Sequence, residues 1–558
     1  MPVPVTVDYL IVGAGSAGCV LADRLTEDGD ASVLLLEAGG PDDRAEIHIP
    51  AAFSKLFKTE VDWGYETEPQ AHAGGRRWFW PRGRVLGGSS AINAMIYIRG
   101  HHADYDGWAA DGCSGWGYAD VLPYFKRSED NARFGDPYHG RGGRLRVEDA
   151  RSPSVLSRTF VEAAAQAGHE RNDDFNGAAQ LGAGLYQLTQ KGGRRVSAAT
   201  AFLRPAMRRS NLRVETRALA TRVIVENGRA VGVAYAQDGE VHVARARREV
   251  LLAGGAINTP QLLMLSGIGP ADSLRGHGIA VVADRPAVGA NLHDHPIVGV
   301  RWLARETETL LSAESLLNVG RYLFTRRGML SSNVAEAGLF AHSGVPGLDG
   351  QAPDLQFHVA PVLFEAHGFV APTAHGLSLG PTLVRPLSRG ALRLRSADPT
   401  APPALDPAYF SEPRDVDALV AGVEMAREIA RQPAYDAVRG EETGAGAEAR
   451  SRSEIEAYVR ATAETLYHPV GTCRMGGDPD SVVDPALRVR GVEGLRVVDA
   501  SVMPTVPNGN TNAPTMMLAE RAADLIRGRI AEPGRRALTS GDGAVEMLVE
   551  DPLHALRK

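Results

Sequence analysis

At 558 residues the chain is longer than one hydrophobic core usually serves, so two or three lobes are expected. Hydrophobic residues make up 44% and charged residues 23%, the balance of an ordinary globular enzyme. Its 60 Lys and Arg against 67 Asp and Glu leave a net charge of −7, too mild and too mixed for a nucleic-acid partner, and no apolar run approaches the roughly 18 residues of a spanning helix.

The first unit runs from Asp8 to Glu37: an apolar strand, a glycine turn with Gly13, Gly15 and Gly18, a short helical stretch, and a second apolar strand ending in Glu37. Gly13 permits the tight turn, Gly15 lets the backbone approach a pyrophosphate, and Gly18 lets the helix pack closely on the strand. The helix start offers unpaired N–H groups and a positive dipole end to phosphates. Glu37 follows Gly18 by 19 positions, where a carboxylate can accept hydrogen bonds from an adenosine ribose. This unit predicts an ADP-containing cofactor.

A segment rich in glycine and small residues follows, from Pro81 to Gly100. Helices are expected over Tyr118–Arg127 and over 152–168, the latter stopped by Gly168. Two β-branched runs around Asn227-Gly228 predict a hairpin. Glu249 to Gly255 reads as a buried strand leading to a helix near Thr259, with Pro260 in the first turn. From about 300 to 465 alternating runs, proline-rich loops and an Ala-rich helix near 415–431 predict a separate lobe, an antiparallel sheet with helices. Gly494 to Ala500 is another buried strand, with a helix starting near Pro514.

Cofactor-type elements thus lie at both ends of the chain. The expected fold is α/β: a Rossmann-like domain for the ADP-containing cofactor with an interleaved α+β substrate-binding domain. The corresponding regions are 1–298 for the cofactor, 299–465 mostly for the substrate, 466–530 for the return to the cofactor domain, and 531–558 for a flexible tail.

Other chemistry-bearing residues receive structural readings. Cys19, Cys113 and Cys473 are too few and wrongly spaced for metal, and fit packing in a reducing cytoplasmic setting, with peripheral membrane contact left open. His293 and His295 around Asp294 resemble a metal cluster by eye but read as a structural loop, so no metal is expected. Glu336 reads as a structural carboxylate rather than the partner of a cationic substrate. No basic leader precedes the first apolar run, so no export signal is expected.

Five motifs in order make the chain similar to the glucose–methanol–choline (GMC) oxidoreductases, close to their choline dehydrogenase-like and primary-alcohol dehydrogenase or oxidase branch. They are the Gly13–Glu37 unit, the Pro81–Gly100 segment, Gly255 to Gly269, His468 to Gly476, and Asp499 to Pro504 running on through Asn510-Thr-Asn512-Ala-Pro-Thr515. The resemblance extends from about Asp8 to about Gly528.

It implies FAD, and it implies that His468 and Asn512 face the reactive edge of the flavin. Asn93, Ala94 and Met95 would lie near the isoalloxazine, Trp63 would contact it, Val223 would lie near the adenine, and Asp499 and Ala500 by the ribityl-phosphate. Ser16, Ala17, Ala38, Val85, Leu86, Gly87, Asn510, Thr511 and Thr515 are the further cofactor positions it implies. Tyr467 and Phe357 are the candidate walls of the substrate pocket, with core packing as the alternative for both and the commoner reading for Phe357 and His358 on their alternating strand. Where some relatives carry a histidine that links the flavin covalently, this chain has Ile92, so noncovalent FAD is expected.

The implied reaction oxidises a primary alcohol to the aldehyde. A hydride goes to flavin N5, His468 accepts the hydroxyl proton, and Asn512 stabilises the developing alkoxide without titrating. Electrons would pass to O2 or to a quinone or artificial acceptor. Choline dehydrogenase-type activity and a non-redox, hydroxynitrile lyase-like role are the alternatives. The low aromatic content, 6%, argues against a cage for a quaternary ammonium.

Overall fold

The computed structural model describes residues 5–348 and 350–531; the expected flexible tail from 531 onward lies almost wholly outside them. The first strand, Val5–Val12, is buried over most of its length because it is flanked on both sides by parallel partners. One neighbour is Val33–Leu36, fully buried; the other is Glu240–Leu252. The seven-stranded sheet runs Leu212–Glu215, Val33–Leu36, Val5–Val12, Glu240–Leu252, Arg229–Gln237, Leu219–Glu226, and Leu495–Val497 also pairs with Glu240–Leu252. The predicted hairpin forms, turning at Asn227 and Gly228, both with positive φ. The late strand adds in parallel, Leu252 opposite Val497, so the far end of the chain completes a sheet begun at residue 5.

The second sheet is antiparallel, as the alternating runs predict. Its main order is Arg439–Thr443, Val300–Ala304, Gly376–Leu383, Leu355–Ala360, Ala337–Ala341, Gly182–Leu185; Pro296–Ile297 and Glu464–Thr465 complete its eight strands. The expected border between residues 298 and 299 is crossed here, since Gly182–Leu185 and Pro296–Ile297 come from the region assigned to the cofactor. The Ala-rich helix forms as Pro413–Ala430 and the two early helices as Tyr118–Ser128 and Val155–Gln166.

One helix starts earlier than expected. It spans Gly255–Leu265, so Pro260 sits in its interior rather than its first turn. Proline there leaves the Ala256 carbonyl without its helical donor. The Thr472 hydroxyl donates to that carbonyl at 2.6 Å, so the loop that follows His468 supplies the missing bond.

Candidate active site

A single long cleft runs between the two sheets, from the glycine turn to the strand Leu355–Ala360. Three helices begin at it: Ser16–Thr26, Gly255–Leu265 and Asn512–Ile526. The first has Gly15 as its N-cap and the third Thr511, and neither receives a side-chain capping bond. Unpaired N–H groups and positive dipole ends therefore converge on one cavity, the electrostatics that pyrophosphate and an anionic reduced ring require.

Gly13 and Gly18 stand where no side chain fits. A Cβ on Gly13, at φ +98°, would stand 2.6 Å from the Ala253 carbonyl oxygen, and one on Gly18 would stand 1.8 Å from that of Gly13. Gly15 is different: its nearest atom would be 4.0 Å away, so the space it keeps free belongs to the cleft rather than to protein packing. Glu37 lines the same end, its carboxylate accepting from the N–H groups of Ala14 and Gly39 at 2.8 Å each. Burial pushes its carboxyl up to about 7.

Of the remaining cofactor positions, Ser16, Ala17, Ala38, Trp63, Asn93, Ala94, Met95, Asp499, Ala500, Asn510, Thr511 and Thr515 line the cleft. Asp499 does so with both oxygens engaged, accepting from Gly255 N–H at 2.9 Å and Ser501 N–H at 2.9 Å. It organises a helix start rather than presenting a free charge.

Five residues do not stand where they were placed. Val85, Leu86 and Gly87 lie behind the cleft: Leu86 N–H donates to the Gly40 carbonyl and Gly87 N–H to that of Ala14, bracing the glycine turn from outside. Val223 is buried on the hairpin with its N–H on the Ser266 hydroxyl, and the cleft is lined instead by Ala218, Leu219 and Ala220. Phe357 points into the core against Phe160, while the alternation of the strand turns its neighbour His358 to the cleft.

The largest correction concerns Asn512. Its amide oxygen accepts from the Ser16 hydroxyl at 2.7 Å, tying together the starts of two helices. The residue beside His468 is Asn510, whose Nδ2 lies 3.3 Å from His468 Nε2. Asn510 falls within the predicted cofactor set, but its place beside His468, two positions before the expected partner, was not legible. The run Asn508-Gly-Asn510-Thr-Asn512 offers three amides, and only the turn into the helix decides which one faces the histidine.

The hydrogen-bond chain behind Asn510 sets the histidine tautomer. The Tyr186 hydroxyl spends its single proton on the Phe357 carbonyl at 2.6 Å, so it must accept from Gln356 Nε2 at 3.0 Å. The other Gln356 proton then goes to Asn510 Oδ1 at 3.3 Å, which turns Asn510 Nδ2 toward His468. His468 Nε2 is therefore the acceptor, and its proton sits on Nδ1, donated to His295 Nδ1 at 3.1 Å. The Nε2 lone pair thus stands at the cleft, beside Asn510.

His468 is held by a loop whose anchors the sequence had marked only as structural. Its N–H donates to Asp294 Oδ1 at 2.6 Å; Asp294 also accepts from the hydroxyls of Tyr409 and Thr465. Arg82 donates to the Tyr467 carbonyl at 2.5 Å, and Tyr467 sits at φ +72°, a conformation its side chain disfavours. His293 is occupied on both ring nitrogens, by the Asn291 carbonyl and the Val506 N–H. Burial, with His295, His358 and Arg82 nearby, holds His468 well below the usual histidine value of 6.5.

Beyond His468 the cleft wall is apolar: Phe53, Phe57, Ile92, Val334, Ala360 and Phe364, with Tyr467 at the edge. Glu464 also lines the cleft, but burial pushes its carboxyl up and Arg301 and Arg76 offset its charge. Glu336 lies off the cleft, accepting from Ser154, Ser157 and Ser332, the structural role expected of it.

Comparison with known proteins places a GMC oxidoreductase N-terminal family model on residues 7–297 and its C-terminal counterpart on 386–519. The chain is 47% identical to an alcohol dehydrogenase [acceptor] of Pseudomonas putida over 93% of this chain and 95% of that protein. It is 46% identical to the mitochondrial choline dehydrogenase of Homo sapiens, over 94% and 90%. Among solved structures, pyridoxine 4-oxidase from Mesorbium loti matches with a TM-score of 0.85 at 33% identity, covering 93% of this chain and 99% of that one. A formate oxidase variant from Aspergillus oryzae RIB40 matches with a TM-score of 0.89 at 27% identity, covering 94% and 98%.

Proposed function

The chain belongs to the GMC oxidoreductases, FAD-dependent enzymes acting on CH–OH groups, and from that premise we propose that it oxidises an uncharged, apolar primary alcohol to the aldehyde. When bound, FAD supplies the hydride acceptor. The start of the Ser16–Thr26 helix and Glu37 would hold its phosphates and ribose, the start of the Asn512–Ile526 helix would face its ring, and Ile92, a hydrocarbon side chain in the cleft, would leave the cofactor noncovalent. His468 Nε2 takes the hydroxyl proton, and Asn510 Nδ2–H donates to the same oxygen as charge develops on it. The His468–Asn510 separation of 3.3 Å lets one alcohol oxygen be shared between them.

What carries this reading is the hydrogen-bond chain from Tyr186 through Gln356 to Asn510, which leaves His468 Nε2 unprotonated beside a neutral amide donor. The apolar wall supports an alkyl or aryl alcohol over choline, because Glu464, the acid at the substrate end of the cleft, is already offset by arginine. Buried, unpaired Cys19, Cys113 and Cys473 support a reducing, cytoplasmic setting, and no described helix is long and apolar enough to cross a membrane.

The test is anaerobic flavin absorbance with a panel of straight-chain alcohols, benzyl alcohol and choline. Bleaching by the first two classes and not by choline is expected. Flavin that stays oxidised with every alcohol would point to a lyase and end the proposal. Readmitting oxygen, or adding a quinone, then reports the electron acceptor.

A further inference from the structure

The helix Leu316–Thr325 is amphipathic in reverse. Its polar and aromatic side faces the protein: Asn318 donates to the Ser312 carbonyl at 3.0 Å, and the Tyr322 hydroxyl to that of Gly193 at 3.0 Å. Its apolar side faces outward, with Leu316 92% exposed, Leu317 80%, Leu323 59% and Phe324 90%. A surface helix normally buries that stripe. Four large apolar side chains on one exposed face are a binding surface in search of an apolar neighbour.

The charges beside the stripe say which neighbour. Exposed Arg321 and Arg327 flank it, and neither makes an ion pair with a carboxylate among the described residues, while Arg326 turns inward over the Tyr322 ring at 4.9 Å. In the acids that precede the helix, Glu308 is occupied by Asn318 and Ser312, and Glu314 by Lys55. Unpaired cations around an apolar stripe match a bilayer with anionic headgroups, the arginines at phosphate level and the leucines below. They also disfavour a second copy, since a twofold contact would press like charges together.

A second exposed apolar spot, Phe369 and Val370, lies on the other flank of the turn Pro50–Leu56, with Lys58 stacked over the Phe369 ring at 4.7 Å. That turn joins both spots to the cleft: the Lys55–Glu314 pair ties it to the helix side, Phe57 packs on Phe369, and Phe53 and Phe57 line the cleft itself.

We propose that the Leu316–Thr325 helix, with the Phe369–Val370 turn, seats this protein on an anionic lipid surface and sets the apolar wall of its cleft close to the membrane. The docking does not depend on which alcohol is oxidised. The test is flotation of the full-length FAD-loaded protein with vesicles of phosphatidylglycerol and phosphatidylethanolamine, and with phosphatidylcholine alone. Co-flotation with the anionic vesicles is expected, reduced tenfold or more by Leu317→Glu with Phe324→Glu and by Arg321→Glu with Arg327→Glu. Flavin reduction by a water-soluble alcohol should stay unchanged in both variants. Wild-type protein that stays with the soluble fraction, or binding that survives the Leu317→Glu/Phe324→Glu change, would overturn the proposal. So would a dimer in lipid-free solution that the same change splits, which would make this face a contact between copies.

Discussion

The two ends of the cleft are built from different materials. At the glycine turn the lining is mostly backbone, exposed because Gly13 and Gly15 carry nothing, with one carboxylate, Glu37, behind it. At the His468 end the lining is side chains, and the polar ones are positioned by hydrogen bonds from somewhere remote in sequence: Asp294, Arg82, Gln356, His295. The first end is rigid by packing and tolerates little change in shape. The second is a relay of donors and acceptors, where the direction of each bond matters as much as its presence.

The sharpest break in that comparison is His468→Ala. Loss of the base should slow anaerobic flavin reduction by two orders of magnitude or more while FAD stays bound, since the anchor from Asp294 is to the backbone. In the wild type the lowered pKa keeps the imidazole neutral, so the reduction rate should remain flat as pH falls from about 8 to about 6. An acid limb at the ordinary histidine value would show that burial does not govern it.

Asn510→Ala comes next, with a loss of about 10² to 10³ in reduction rate as an oxyanion donor disappears. Asn512→Ala should cost FAD affinity or stability and leave the rate of the bound fraction near normal, because Asn512 bonds Ser16. The reverse pattern would return the catalytic role to Asn512.

At the other end, Gly15→Ala and Gly18→Ala should separate cofactor from fold. Gly15→Ala has room for its Cβ, so melting of the apoprotein should barely change while FAD affinity drops about 10–100-fold, the scale of a lost charged hydrogen bond. Gly18→Ala collides with the Gly13 carbonyl and should lower apoprotein stability by about 3 kcal/mol or more, read by denaturant midpoint.

The smallest effect is expected at Glu37. Only its ionised form is a pure acceptor for ribose hydroxyls, and that fraction grows as pH rises through about 7, so FAD should bind more tightly at pH 8 than at pH 6. Glu37→Gln should bind about tenfold more weakly and lose that pH dependence. A titration of flavin fluorescence at both pH values decides it.

Legibility in the sequence follows the same division. The strand–turn–helix unit, the hairpin, the antiparallel lobe and the returning strand were readable because their rules are local: glycine spacing, period-two alternation, continuous apolar runs. The rear of the site was not. Asp294 and His295 looked like a spurious metal cluster because what they hold lies more than 170 positions away. Val223 and Phe357 were each placed correctly on a strand but on its wrong side or a few residues too far along. Pro260 marked a helix interior instead of a start because Thr472, on a different segment, makes that interior tolerable.

The hydrogen bond between Ser16 and Asn512 spans 496 positions, and the strand that completes the first sheet is Leu495–Val497. During synthesis the first half of the cradle therefore waits for nearly the last part of the chain to leave the ribosome. A polypeptide ending before residue 512 lacks the helix that closes the cleft from the far end of the chain, so it should not keep its flavin, and yellow colour should mark molecules translated past that point.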